Sequence, residues 1–222
     1  MNAAYAEWLL PMAAGLLLAN VVSAPYAFTL LGLWIAGCLH NVPLFRTKDI
    51  PYVDVISEAV NNPLRMLVIW FLTGTVAVPI TTLVVSYWMV GCYVMAVKRY
   101  AEYREFTGET PRMYRRSFRS YSERSLRASI LFRDSRAMLL PGTFNVRYRL
   151  ELILTFPLVA LVMSACLWLA FRPHSPVQHP EGLYGEPLVL IPVTACAAGM
   201  ATLLFVDVPL LYRLFPPTKV GF

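Results

Sequence analysis

The sequence contains little charge of either sign and is especially poor in acidic residues. Only 14% of its 222 residues are Asp, Glu, Lys or Arg, whereas an ordinary soluble domain has about 25%. Hydrophobic residues make up 58% of the chain. So apolar a composition excludes an intrinsically disordered chain and argues against a soluble enzyme. An integral membrane protein is therefore the class that the composition favours.

Motifs of several other kinds of chemistry are missing. The sequence contains no P-loop, no GxGxxG segment, no Ser-His-Asp order and no haem-binding spacing. It also contains no CxxC pair, and its four cysteines all lie within apolar stretches. This placement predicts small buried thiols rather than disulfides or metal ligands.

Apolar stretches are what the sequence has in abundance. A membrane helix needs about 20 mostly apolar residues to cross about 30 Å of hydrocarbon. Six stretches qualify as candidates, although the first two are short. They are residues 7–22, 26–40, 53–74, 76–97, 150–171 and 188–208. The sequence therefore predicts an all-α polytopic membrane protein with about six transmembrane helices in one domain.

Positive charge is concentrated between the fourth and fifth candidate spans. Thirteen of the 19 Lys and Arg residues fall within 98–149. Because cytoplasmic loops of membrane proteins carry an excess of basic residues, this segment is expected in the cytoplasm. Threading the chain outward from it also leaves both termini cytoplasmic. We interpret the pattern as that of a bacterial inner-membrane protein, in the cytoplasmic or intracytoplasmic membrane.

The third candidate span is unusually polar in its first half. Asp54 and Glu58 are four residues apart, so on a helix they project from one face. A Mg²⁺ ion carrying phosphate oxygens would satisfy both carboxylates, and Arg46 and Lys48 could hold a phosphate directly. In the alternative interpretation, these acids lie favourably at a helix start and pair with Lys48 or Arg65.

The order of these residues resembles a known motif. Lys48, Asp54, Glu58 and the pair Leu64-Arg65 are similar to the second acidic motif of the UbiA superfamily of intramembrane prenyltransferases. The stretch MAVKRYAE at 95–102 resembles a landmark of the branch that includes decaprenyl-phosphate phosphoribosyltransferases. The resemblance extends over residues from about 10 to about 210 and implies a partial UbiA-like helical bundle.

The resemblance also implies a site. In that family the second acidic motif binds Mg²⁺ and the substrate's phosphate or diphosphate, so Asp54 and Glu58 would be the metal ligands. The implied substrate is a polyprenyl phosphate or diphosphate. The basic residues expected to contact its phosphate are Lys48, Arg46, Arg65, Lys98 and Arg99.

One part of the family pattern is absent from this sequence. The first acidic motif, of the NDxxDxxxD type, has no counterpart, and a two-metal site needs carboxylates from both motifs. We therefore expect a degenerate pseudoenzyme, non-catalytic on its own, that serves as a subunit or scaffold of a larger membrane complex. The alternative is the C-terminal part of an active Mg²⁺-dependent transferase, with the first motif on a longer chain or on a partner.

A basic and aromatic stretch at 111–127 predicts a contact surface. On a helix Tyr114, Phe118 and Tyr121 share one face. The arginines around this face include Arg115, Arg116 and Arg119. Such a helix is typical of one that lies on anionic lipid headgroups, and a docking surface for a membrane-protein subunit is the alternative. Nucleic acid is not an expected partner.

Overall fold

The computed structural model describes residues 2–43, 45–105, 116–178 and 180–215. Within these residues the protein is all-helical, with no β-strand. The chain divides into two compact units, the first comprising 1–92 with 112–121 and the second 93–111 with 122–222. One long helix, Thr81–Glu105, contributes residues to both units. The predicted all-α class is confirmed.

The first unit is built on a helical hairpin. It contains α1 (Asn2–Val22), α2 (Ala24–Asn41), α3 (Val53–Ala59), α4 (Asn61–Leu72) and the first half of α5 (Thr81–Glu105). Only Ser23 separates α1 from α2, and its hydroxyl oxygen accepts the N–H of Tyr26 at 3.2 Å as the N-cap of α2. Helix α2 packs against α1 and against α4.

The predicted third span is interrupted. Residues 53–74 form α3 and α4, of 7 and 12 residues, with Val60 between them. Pro63 explains the break, because it has no N–H to donate to the carbonyl of Ala59. Helix α5 passes close to the break at Gly91, where a β-carbon would collide with the side chain of Asn62. A larger residue at this crossing would therefore require the Asn62 side chain to move.

The second unit follows from α5. It contains α6 (Glu123–Tyr148), α7 (Phe156–Ala170), α8 (Pro180–Leu183), α9 (Pro187–Leu203) and α10 (Pro209–Leu214). Helix α6 begins with a capping box, in which the Ser122 hydroxyl accepts the N–H of Ser125 and the Ser125 hydroxyl accepts the N–H of Ser122. A 3-10 turn, Leu150–Thr155, leads into α7, which packs against α9.

Two helices are long and apolar enough to cross a membrane, judged by length and composition. They are Thr81–Glu105 and the continuous helical stretch Leu150–Ala170. Leu9–Val22 and Pro187–Leu203 are apolar but shorter. Six spans therefore stay a prediction, and some of the predicted boundaries shift. Helix α5 starts later than residue 76 and ends at Glu105, well beyond the predicted end at 97.

The cysteines lie as free thiols within the helices. Cys92 and Cys196 are buried, and Cys38 and Cys166 are partly buried. This agrees with the expectation that they act as small apolar side chains.

The glycine crossing gives the first prediction. Gly91→Leu should destabilise the protein by about 1–3 kcal/mol, since the new side chain has to displace Asn62 at the break between α3 and α4. Thermal unfolding of the purified protein in detergent would measure the change. Gly37→Leu is the matched control, because a β-carbon there meets no atom within 4 Å. Equal melting temperatures for the two variants would contradict the close crossing.

Candidate functional site

Asp54, the predicted metal ligand, lies fully buried near the start of α3. Its side chain has 0% exposure, and its Oδ1 accepts a hydrogen bond from the Tyr121 hydroxyl at 2.8 Å. The oxygen of that hydroxyl accepts the backbone N–H of Tyr52. A buried carboxylate without donors would cost several kcal/mol, so the bond from Tyr121 stabilises the folded chain. We call Tyr52, Asp54 and Tyr121 the Asp54 cluster.

Aromatic packing supports the same cluster. The rings of Tyr52 and Tyr121 meet edge to face, with centroids 5.0 Å apart, and Phe118 packs against Tyr121 at 6.1 Å. Tyr52 has a φ of 64°, which is uncommon for a residue with a β-carbon. This conformation turns the chain into α3, and the bond from the Tyr52 N–H to Tyr121 holds it.

The positions of Phe118 and Tyr121 correct one prediction. They were expected on a lipid-facing or partner-facing helical surface, but they are only 1% and 6% exposed. The segment Arg116–Ser120 is a 3-10 helix, and α6 begins only at Glu123, so the two aromatics do not share an outward α-helical face. Arg116 and Arg119 are exposed as expected. Tyr114 and Arg115 lie outside the described residues.

A network of neutral polar groups adjoins α3. The Thr47 hydroxyl donates to Ser57 Oγ at 3.0 Å, and the Ser57 hydroxyl donates to the Asp54 carbonyl at 3.2 Å. His40 Nδ1 lies 3.1 Å from the same Ser57 oxygen. These contacts connect the end of α2, the 3-10 turn Thr47–Asp49 and α3. Sequence reasoning missed them, because no charged motif marks His40, Thr47 or Ser57.

Three basic side chains lie near this network: Arg46 and Lys48, which were predicted to bind phosphate, and Arg116. Arg46 Nε lies 3.2 Å from Asp49 Oδ2, and Arg116 approaches the same oxygen at 3.9 Å. Lys48 Nζ donates to Asn41 Oδ1 at 3.2 Å. Guanidinium and ammonium groups of this kind can bind phosphate, but Asp49 already supplies an anion between the two arginines. Sequence reasoning also missed Asp49, which is not one of the residues that carry the resemblance.

The remaining residues of the predicted site are less closely assembled. Glu58 lies half-buried on α3, one turn after Asp54, while Arg65 is exposed on α4. In the part of the chain that the structure describes, Arg65 makes no hydrogen bond or ion pair. The structure thus places both predicted carboxylates on one helix, at very different depths.

The Asp54 cluster does not fit the predicted Mg²⁺ well. Mg²⁺ prefers six oxygen ligands and usually retains several waters, which requires open space around its carboxylates. Asp54 has no exposed surface, and one of its oxygens is engaged by Tyr121. Across the described residues, no group of three or more His, Cys, Asp or Glu side chains could share a metal ion. The geometry in this conformation is that of a structural carboxylate.

Lys98 and Arg99, the two further predicted phosphate ligands, belong to the second unit. Lys98 is half-buried, whereas Arg99 has 0% exposure and donates to Glu102 Oε2 at 2.8 Å. Breaking a buried pair of this kind would leave an uncompensated charge, so Arg99 is held as an internal ion-pair partner. Its predicted role in contacting a substrate phosphate is not compatible with this burial.

A second buried carboxylate was not predicted. Glu151 starts the apolar stretch that contains α7, and the Tyr212 hydroxyl donates to its Oε2 at 3.3 Å. Arg149 lies 3.6 Å from the same oxygen and 2.9 Å from Asp207 Oδ1. The bond to the Glu151 carboxylate raises the pKa of Tyr212 above its usual value. This arrangement ties α10 to the start of the stretch.

Comparison with protein families, with curated proteins and with solved structures finds no match to this chain. The candidate sites therefore have to be judged on their own geometry.

The Asp54 cluster gives the second prediction. Tyr121→Phe removes the hydroxyl that bridges Asp54 and the Tyr52 N–H, so it should lower the free energy of unfolding by about 1–3 kcal/mol. The measurement is thermal or denaturant unfolding in detergent. Tyr184→Phe, at a 79% exposed tyrosine, is the control and should change stability little. If Tyr121→Phe were neutral, the hydroxyl bridge would not be a structural requirement.

Proposed function

We propose that this chain is a polytopic membrane protein that serves as a non-catalytic subunit or scaffold of a larger membrane complex. The proposed spans are α1, α2, the α3–α4 pair, α5, the stretch ending in α7, and α9. Both termini face the cytoplasm of a bacterial cell in this proposal. The resemblance to UbiA prenyltransferases describes the scaffold, while the catalytic centre of that family is incomplete here.

The distribution of apolar side chains supports a membrane location. In the most apolar parts of Thr81–Glu105 and Leu150–Ala170, only 33% and 28% of the residues are buried. The core helix of a soluble protein would be mostly buried. Large apolar side chains also point outward on the first hairpin, among them Leu17, Val21 and Phe28. A surface of this extent requires lipid or protein to cover it.

The single observation that carries the non-catalytic proposal is the engagement of Asp54. A metal or phosphate site needs its carboxylate reachable by the ion, its waters and the substrate. Asp54 instead accepts the Tyr121 hydroxyl at zero exposure. Arg99 and Glu102, which belong to the other stretch of the resemblance, form an ion pair within the interior of the second unit. Asp54, Arg99 and Glu102 thus serve internal contacts.

The membrane location predicts the behaviour of the chain on extraction. After expression in bacteria, the protein should remain in the membrane pellet through alkaline carbonate and through high salt, since apolar helices are released by neither. Detergent should release it. Release by carbonate alone would contradict an integral location, and the test does not depend on any partner.

The non-catalytic proposal predicts the outcome of an activity comparison. Purified wild type, given polyprenyl phosphate and polyprenyl diphosphate donors with Mg²⁺, should show no turnover. Asp54→Asn should fold with wild-type yield, because the amide oxygen can still accept from Tyr121. When each is cross-linked in its own membranes, wild type and Asp54→Asn should both be found in an assembly with partner subunits, at the same fixed stoichiometry.

The alternative, part of an active Mg²⁺-dependent transferase, predicts the opposite pattern. Turnover that Asp54→Asn and Glu58→Gln both abolish, with folding unchanged, would overturn the scaffold proposal. Arg213→Gln is the control for a non-specific effect of losing a charged group, since this exposed arginine belongs to neither motif.

A further inference from the structure

Helix α6 has an exposed outer face that has no role in the proposed function. Its inner face carries Leu126, Ile130 and Ala137, all buried. On the outer face Leu131, Phe132 and Leu139 are 62%, 61% and 67% exposed. These three large side chains lie on one side of the helix, within about 100° of one another around its axis, and the exposed Ser135 lies between Leu131 and Leu139. We call the three side chains the apolar stripe.

Arginines flank this stripe. Arg124 lies seven residues before Leu131, and Arg136 lies four residues after Phe132, so helical periodicity places both on the same side of α6 as the stripe. Both are exposed. The Arg136 guanidinium stacks over the Phe132 ring with 4.7 Å between its carbon and the ring centroid. The charged groups thus border the apolar surface directly.

The acidic residues of α6 do not neutralise this face. Glu123 is engaged by Arg127 at 3.2 Å and by the Tyr100 hydroxyl at 2.9 Å. Asp134 is half-buried, and burial raises the pKa of its carboxyl above the usual value. The outer face therefore presents positive charge next to apolar side chains.

We propose that the outer face of α6 binds anionic phospholipid, with acyl chains along Leu131, Phe132 and Leu139 and headgroup phosphates at Arg124 and Arg136. This inference rests on the proposed membrane location. One guanidinium group can donate two parallel hydrogen bonds to the oxygens of one phosphate. Acyl chains of the same lipid can cover the apolar side chains beside it. The combination selects a lipid over an RNA, whose phosphates would leave the apolar stripe in water. It also moves the expected lipid contact from Phe118 and Tyr121, which are buried, to α6.

The test compares two lipids with identical acyl chains. The full chain is purified in a neutral detergent and mixed with phosphatidylglycerol or phosphatidylcholine, and bound lipids are counted by native mass spectrometry. Wild type should prefer phosphatidylglycerol. The double variant Arg124→Gln/Arg136→Gln should reduce this preference about 30-fold, since two surface arginines at about 1 kcal/mol each contribute about 2 kcal/mol to binding anionic lipid. Raising the salt concentration should weaken the wild-type preference in the same direction.

Arg172→Gln/Arg213→Gln is the matched control. It removes the same charge from two exposed arginines elsewhere and should retain the wild-type preference. An equal loss in both double variants would show a response to net charge alone and would overturn the site. A second pair, Leu131→Ala/Leu139→Ala, should lower the uptake of both lipids to a similar degree. Unchanged uptake in that variant would overturn the apolar half of the proposal.

The failure of this proposal can be distinguished from that of the proposed function. If carbonate released the chain, the membrane location itself would be wrong, whatever the lipid preference. If the chain stayed in the membrane but showed equal affinity for the two lipids, only the α6 site would be wrong. Tight binding of a short RNA or an acidic peptide that depends on Arg124 and Arg136, without a lipid preference, would also overturn it.

Discussion

A carboxylate that leaves water has to be met by hydrogen-bond donors, and the first unit is arranged to meet this requirement at Asp54. The Tyr121 hydroxyl donates to the carboxylate and accepts from the Tyr52 backbone, so a single group joins the turn before α3 to a segment 69 residues further along the chain. The unusual φ of Tyr52 is compatible with folding because that bond holds it. The bend into α3, the depth of Asp54 and the position of the segment 116–121 therefore depend on one another.

Local patterns in the sequence predicted several of the helices, but neither α6 nor the partners of the polar residues. Apolar stretches located α1, α2, α7 and α9, although some of the predicted ends differ by about six residues, and the four-residue spacing placed Asp54 and Glu58 on one helix. The break at Val60 was missed, although Pro63 was its signal. The bond from Tyr121 to Asp54 could not be found, because nothing local in either segment points to a residue so distant in the chain.

The same limit explains the errors at the basic segment. Helical periodicity put Tyr114, Phe118 and Tyr121 on one outward face, but it assumed that the helix was continuous there. The capping box at Ser122 and Ser125 starts α6 only at Glu123, and the preceding 3-10 turn lets Phe118 and Tyr121 point inward. The charged residues near Arg99 show a similar effect. The sequence around Arg99 resembles a stretch of the UbiA family and predicted a contact with substrate phosphate. In the structure, Arg99 is fully buried against Glu102.

The link between α1 and α2 consists of Ser23 alone, and this has a consequence for how the chain is assembled. Helices of 21 and 18 residues are about 32 Å and 27 Å long, so they are similar in length to the thickness of a bilayer core. A connection of one residue keeps the adjacent ends of the two helices together. Under the proposed membrane location, α1 and α2 would enter the bilayer together as a hairpin, with the Ser23 cap leading.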